Sequence, residues 1–174
     1  MQKRINLQWS LRLPMPLVSL RIVYFTLLVA LVCQMLPWAG FGQMVRPDFI
    51  LVVVIYWLFR APYVVNIGTA WFAGVVVDLI SGGLFGQHAL AYAVTAFFAV
   101  RYQRRLILFN SWQQAAYVLV LLVLAQIIVL ILKLFAGGEV PGWSYFLPSI
   151  SGILLWQLIA ISGVGTGIGN PHRS

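Results

Sequence analysis

The sequence predicts an all-α membrane protein, a polytopic bundle of six transmembrane helices with both termini in the cytoplasm. Composition is the first observation: 62% of the 174 residues are hydrophobic and 8% are charged, whereas about 25% of a typical soluble domain is charged. The apolar residues form runs long enough to cross a bilayer, and the basic residues lie in the connectors between these runs. This length accommodates one membrane domain.

Four of the spans follow directly from the apolar runs. The hydrocarbon core of a bilayer needs about 20 helical residues, with about 17 as a lower limit. Residues 20–36, 113–135 and 145–164 meet this requirement, and residues 84–101 follow a glycine-rich turn.

Two further spans come from one long apolar tract, residues 48–80, which as a single helix would measure about 50 Å. Proline lacks a backbone donor and disfavours a helical residue before it, so Pro62 predicts a turn after Arg60. The resulting spans are 46–60 and 63–80. Because the apolar part of the first is short, we expect it to extend to Val45, to thin the bilayer locally or to sit partly inside the bundle.

The basic residues favour six spans over five. With a cytoplasmic N-terminus, six spans place nine of the eleven Lys and Arg residues inside, and only Arg46 and Lys133 near the outer face. Five spans would put the cluster at 101–105 outside and Arg60 within the membrane. We therefore predict a basic cytoplasmic segment at 1–19, one membrane domain at 20–165 and a flexible cytoplasmic tail at 166–174. A cleavable signal peptide is disfavoured, because the first apolar run is long and a Pro-Trp pair follows it.

The net charge of +8 does not indicate nucleic-acid binding, because the basic residues are distributed as topology signals. Three of them, Arg101, Arg104 and Arg105, form a cytoplasmic cluster. This cluster can contact anionic lipid headgroups or a cytoplasmic partner, although the topology signal alone accounts for it.

The sequence contains no recognised catalytic set. It lacks a G-x-x-x-x-G-K-[ST] phosphate loop, a G-x-S-x-G elbow and an H-E-x-x-H zinc motif. The single cysteine, Cys33, excludes an intramolecular disulfide, and one of the two histidines, His172, lies in the tail. We therefore predict no enzyme activity, no cofactor and no metal. A membrane enzyme acting on lipid-linked precursors would have Asp78 with His88 as its only acid–base pair.

Asp78 is the one ionisable residue placed inside or at the edge of a span. Ala70, Gly74 and Asp78 lie four residues apart on one helix face, where small side chains leave a groove for another backbone. One interpretation of Asp78 is a polar anchor for a partner or a substrate, since intramembrane acids are often functional. The alternative is a packing role, in which Asp78 bonds the backbone at 81–83 or another residue of its own bundle.

The connector after Asp78 is rich in glycine. Gly82 and Gly86 match a small-residue packing spacing, but their position predicts turn chemistry instead. His88 opens the next helix across this turn, so we expect it to meet Asp78, in a contact that stabilises the bundle and not in a proton relay. Gln126, polar and mid-span, is predicted to donate a hydrogen bond between helices.

Several motifs of the chain resemble those of one known family, the rod shape-determining protein MreD. The resemblance covers about residues 20–165 and is most specific in the central block, where G-x-x-x-D-L-x-S-G is followed by G-x-x-A-L. The motifs are M-L-P-W (35–38), R-P-D-F (46–49), Y-W-L (56–58), P-Y-V-V-N-I-G-T (62–69), G-V-V-V-D-L-I-S-G (74–82), G-x-x-A-L (86–90) and W-Q-Q-A (112–115).

This resemblance implies a function that spacing alone does not show. Members of the family are non-catalytic subunits of the bacterial elongation machinery in the inner membrane, and they bind the bitopic protein MreC. They act with MreB, RodA and penicillin-binding protein 2 to direct lateral peptidoglycan synthesis and cell shape. Their fold is similar to the six-helix S-components that bind vitamins for transporters, although a shared fold does not carry function.

A vitamin-like binding subunit of a transporter is the alternative function. We expect such a cavity to carry more convergent polar groups than the interior polar residues of the sequence provide. These residues are Asp78, Asn66, Thr69, Thr95 and Gln126.

Overall fold

The computed structural model describes residues 20–37, 39–106, 110–138 and 142–162, and within these ranges the chain is helical without any strand. The predicted all-α class is confirmed for this part of the chain. The predicted cytoplasmic segments 1–19 and 166–174 lie outside the described residues. The helices are α1 (Leu20–Met35), α2 (Phe41–Val45), α3 (Phe49–Arg60), α4 (Ile67–Ser81), α5 (Gln87–Leu106), α6 (Ser111–Phe135), a 3-10 helix (Trp143–Phe146) and α7 (Leu147–Ser162).

Two of the described helices are long and apolar enough to cross a membrane by themselves, Trp112–Phe135 and Ser144–Ile161. Three more, α1, α3 and α4, are apolar but shorter. Many large apolar side chains of α1, α4 and α7 are exposed on the outside of the bundle. This pattern is typical of a chain whose surroundings are lipid, since lipid tails are as apolar as the side chains themselves.

The short helix α3 forms the centre of the bundle. It contacts α1, α4, α5, α6 and α7. A helix apolar all round is expected where every face is covered, and α3 therefore lies inside the bundle, one of the three arrangements expected for so short a span. Its buried side chains are Ile50, Leu51, Val52, Val54, Ile55, Tyr56, Trp57 and Leu58.

The long apolar tract breaks where the sequence predicts, because α3 ends at Arg60. Helix α4, however, begins at Ile67 and not at Tyr63. Its start is fixed by a capping box: the Thr69 amide donates to Asn66 Oδ1 (3.1 Å) and the Asn66 amide donates to Thr69 Oγ1 (2.8 Å). These two bonds satisfy backbone groups that a helix start leaves unpaired.

Side-chain hydrogen bonds hold the outer helices to the centre. Trp57 Nε1 donates to Thr26 Oγ1 (2.8 Å), which joins α3 to α1. Ser151 Oγ donates to the carbonyl of Val45 (2.5 Å), which joins α7 to the chain just before α3. The carboxyl ends of α1, α4 and α6 lie together with the amino ends of α3, α5 and α7, because residues from all six ends line one cavity. We call this the polar end of the bundle.

Candidate functional site

The Asp78 carboxylate binds the amino end of α5. Its Oδ1 accepts from the His88 amide (3.0 Å) and from His88 Nδ1 (2.8 Å), and its Oδ2 accepts from the amides of Gly86 (2.9 Å) and Ala89 (3.2 Å). Asp78 is only 2% exposed. The first amides of a helix have no partner within the helix and carry partial positive charge, so they compensate a buried carboxylate. Asp78 thus joins α4 to α5 within one chain.

Gly74 explains how α4 comes so close to α5. A Cβ built on Gly74 would lie 2.5 Å from Ala89 Cα and 2.5 Å from the His88 carbonyl oxygen. Contacts below 3.0 Å are essentially never seen for real Cβ atoms, so only glycine allows this approach. Ala70, one turn earlier, is fully buried. The predicted small-residue groove on α4 is therefore occupied by α5, and it offers no open surface to a partner.

The connector between α4 and α5 depends on two glycines, as the sequence indicates. Gly82 ends α4 with φ +62°, and its amide donates to the Asp78 carbonyl oxygen (3.2 Å). Gly86 has φ +94°. Both values lie in the left-handed region that glycine enters at little cost. The turn returns the chain so that the Gly86 amide reaches Asp78, and the predicted bonds from the backbone at 81–83 to this carboxylate are replaced by bonds from 86, 88 and 89.

A second carboxylate, the half-buried Asp48, caps the amino end of α3, and the sequence alone assigned it no role. Tyr92 Oη donates to both Asp48 oxygens (2.5 and 2.6 Å), and the Leu51 amide donates to Asp48 Oδ1 (3.1 Å). The Tyr92 ring packs edge-on against His88 (ring centroids 6.2 Å apart). An Asp directly before an apolar helix is a readable cap signal, whereas its pairing with a tyrosine from α5 is set by tertiary packing.

Helices α6 and α7 add polar groups at the same end. Ser149 Oγ donates to Gln126 Oε1 (2.7 Å), and Tyr145 Oη donates to the Gln126 carbonyl oxygen (3.3 Å). Gln126 does connect two helices, but it accepts these hydrogen bonds, contrary to the donor role that we predicted. The Lys133 ammonium lies over the Tyr145 ring, 5.8 Å from its centroid, at a distance typical of a cation–π contact.

These groups surround a cavity of about 530 Å³, which we call the polar cavity. Its volume lies in the range of small-molecule sites, about 300–1,000 Å³. Within the described residues, no group of three His, Cys, Asp or Glu side chains could hold a metal ion. The polar side chains that line the cavity are Gln34, Arg46, Asp48, Ser81, His88, Tyr92, Gln126, Lys133, Ser144, Tyr145 and Ser149.

A second concavity of about 690 Å³ lies between α1 and α4, and we call it the apolar groove. No charged residue lines it. Tyr24, Leu28 and Phe72 are exposed at its walls. Gly68 and Ala73 also line it, and their small side chains leave space for another helix.

The predicted basic cluster lies on the last turns of α5, at the end away from His88. Arg101 is exposed. Arg104 and Arg105 belong to the same helix, and their side chains lie outside the described part of the structure.

The other predicted site residues lie together where α4 meets α5. They are Ala70, Gly74, Asp78, Gly82, Gly86 and His88.

The chain is similar to known proteins of one family. The family model described as "rod shape-determining protein MreD" matches residues 16–161, most of the chain. The chain belongs to the MreD family. The rod shape-determining protein MreD of Haemophilus influenzae strain Rd is 26% identical over 163 residues, which cover 91% of each chain. No solved structure matches the chain.

MreD membership confirms the resemblance predicted from the sequence motifs. The chain is therefore a bacterial rod shape-determining membrane protein. MreD proteins are shape-determining structural proteins and not a known enzyme family. The saturated Asp78 carboxylate, with four donors on its two oxygens, agrees with a structural role for the most buried acid.

Proposed function

We propose that this protein is a non-catalytic, multi-pass subunit of the rod-shape complex in the bacterial inner membrane, and that it binds MreC directly. In this role it acts with MreB, RodA and penicillin-binding protein 2 to direct lateral peptidoglycan synthesis. Membership of the MreD family supports the role in cell shape. One structural observation supports the contact with a partner, namely the apolar groove between α1 and α4.

The groove suits a single transmembrane helix. Between apolar helices in lipid there is no hydrophobic driving force, so association depends on close van der Waals packing. A concave surface gives an incoming helix more contact than a convex helix face does, and small residues such as Gly68 and Ala73 allow a close approach. Helix α1 packs mainly on α3, and α4 mainly on α5, so the space between α1 and α4 is left to a partner.

The partner that we place there is the transmembrane helix of MreC. A groove without charged lining residues selects a helix that is apolar over the same length. A second copy of this chain is the competing occupant, and co-purification distinguishes it from MreC.

Co-purification from solubilised membranes tests the proposal with a groove-filling variant and a matched control. Ala73→Phe places an aromatic ring in the groove, and Ala116→Phe places the same ring on an exposed position of α6. We expect Ala73→Phe to lose MreC at normal expression and monodispersity, and Ala116→Phe to retain it. Retention of MreC by both variants, or recovery of a second tagged copy of this chain in place of MreC, would contradict the proposal.

A further inference from the structure

We propose that the polar cavity binds a phosphate-bearing molecule through Arg46 and Lys133. The inference is independent of partner binding at the apolar groove, because the two surfaces share no lining residue. Four features of the cavity support the proposal: the two cations, the satisfied acids, the neutral polar groups and the apolar wall.

Arg46 and Lys133 have no ion-pair partner in the described part of the chain. The ion pair found there joins Asp78 to His88, and no described carboxylate lies within 4.0 Å of either cation. The Arg46 Nε atom is buried and makes no hydrogen bond to a described residue. Buried donors are normally paired, so this unpaired nitrogen beside an open cavity indicates that an acceptor other than the described residues belongs there.

The two described acids near the cavity are already satisfied by the protein. Asp78 accepts four hydrogen bonds from α5. Asp48 accepts from the Tyr92 hydroxyl with both oxygens and from the Leu51 amide. Both acids are held by hydrogen bonds from the protein, and neither Arg46 nor Lys133 forms an ion pair with a described carboxylate, so the two positive charges remain available to a ligand.

Neutral groups and an apolar wall complete the cavity. The Lys133 ammonium is held over the Tyr145 ring, 5.8 Å from its centroid, and the Ser149 hydroxyl lies on the same lining. Leu122, Ala125 and Val129 form an apolar wall. An arginine fork together with a lysine point charge is a common combination for phosphate, and the apolar wall suits a carbon chain or backbone attached to it.

The phosphate has two possible sources, a lipid headgroup and a soluble phosphate ester. Both carry the group that the cations recognise. In the lipid case the acyl chains extend from the cavity into the bilayer, and in the soluble case the molecule enters from the aqueous side at the polar end. The experiment compares probes that separate these sources.

The experiment measures the unfolding midpoint of the full-length protein in a neutral detergent as three probes are titrated. The probes are dihexanoyl phosphatidylglycerol, glycerol 3-phosphate and dihexanoyl phosphatidylcholine, whose phosphate is neutralised by choline. We expect a saturable rise with phosphatidylglycerol and little change with phosphatidylcholine. An equal rise with glycerol 3-phosphate assigns the site to soluble esters, and a rise with phosphatidylglycerol alone assigns it to a lipid headgroup.

Variants connect the effect to the cavity. Arg46→Gln and Lys133→Gln are each expected to weaken binding about tenfold or more, as for loss of a charge-assisted hydrogen bond. Arg46→Lys keeps the charge and is expected to keep most of the affinity, which separates a binding role from a folding defect. Arg101→Gln, an exposed cation at the far end of α5, is the control and is expected to bind normally. No saturable rise with either anionic probe, or equal losses in Arg101→Gln and Arg46→Gln, would overturn the proposal.

Discussion

The close contact between α4 and α5 makes a quantitative prediction for Gly74→Ala. The new Cβ would lie 2.5 Å from Ala89 Cα, so α5 must withdraw by about 1 Å to restore ordinary contact. The bonds from α5 to Asp78 now measure 2.8 to 3.2 Å, and after this shift most of them exceed the length of a real hydrogen bond.

The cost of Gly74→Ala follows from these two effects. Overpacking of a tight contact costs about 1–3 kcal/mol, and a buried carboxylate that loses charge-assisted hydrogen bonds costs about 1.5–3 kcal/mol more. The better helix propensity of alanine returns about 1 kcal/mol. We therefore expect Gly74→Ala to lower the free energy of unfolding by about 1.5–5 kcal/mol.

The assay is unfolding of the purified protein in detergent, with Gly152→Ala as the matched control. A Cβ at Gly152 would lie 2.8 Å from Leu122 Cδ1, the far end of a flexible side chain, and not from backbone. Leu122 can change rotamer, so this control is expected to cost about 1 kcal/mol or less. If Gly74→Ala unfolds at the same midpoint as the wild type, or as Gly152→Ala, the reasoning about backbone contact is wrong.

Three further predictions concern the polar end and the topology. Asp78→Asn keeps the shape but loses the charge that faces the helix amides, and we expect it to lower the free energy of unfolding by about 2–3 kcal/mol. Tyr92→Phe removes the hydroxyl that donates to Asp48, with an expected loss of about 1.5–3 kcal/mol. In a background whose single natural cysteine is replaced by serine, Arg101→Cys should react with an impermeant thiol reagent only after the inner membrane is opened, and Lys133→Cys in intact spheroplasts.

Matched variants serve as controls for the changes at Asp78 and Tyr92. His88→Ala removes one of four donors to Asp78 and should cost less than Asp78→Asn; an equal or larger loss would contradict the role assigned to the backbone amides. Tyr24→Phe changes an exposed tyrosine and should leave stability unchanged. An equal loss of stability in Tyr24→Phe would show that the loss in Tyr92→Phe does not come from the hydrogen bond to Asp48. Labelling of both cysteine variants from the same side would exclude six spans.

The sequence predicted those features of the fold that depend on residues close together along the chain. Pro62 placed the break after Arg60, because proline limits the residues next to it wherever it occurs. The start of α4 was wrong by four residues, although the Asn66–Thr69 capping box could have been recognised from its spacing. A single turn separates Asp78 from His88, and this short distance along the chain made their contact predictable.

The polar cavity was not predictable, because its residues come from six helix ends. Tyr92 and Asp48 are 44 residues apart, and no periodicity connects them. Arg46 and Lys133 were interpreted only as charges near the outer face, and the sequence gives no sign that they share one cavity. The expectation of too few convergent polar groups came from counting residues inside the spans, whereas most polar groups that line the cavity, such as Arg46, His88 and Tyr145, lie near the ends of helices.

Photo-crosslinking in living rod-shaped cells shows whether MreC docks in the apolar groove. A photoreactive benzoylphenylalanine replaces Phe72, exposed on the groove wall, and in a matched strain it replaces Phe97, exposed on α5 outside the groove. We expect an adduct with MreC from position 72 and none from position 97. Strong adducts with MreC from position 97, or none from position 72 in cells that keep their rod shape, would contradict it.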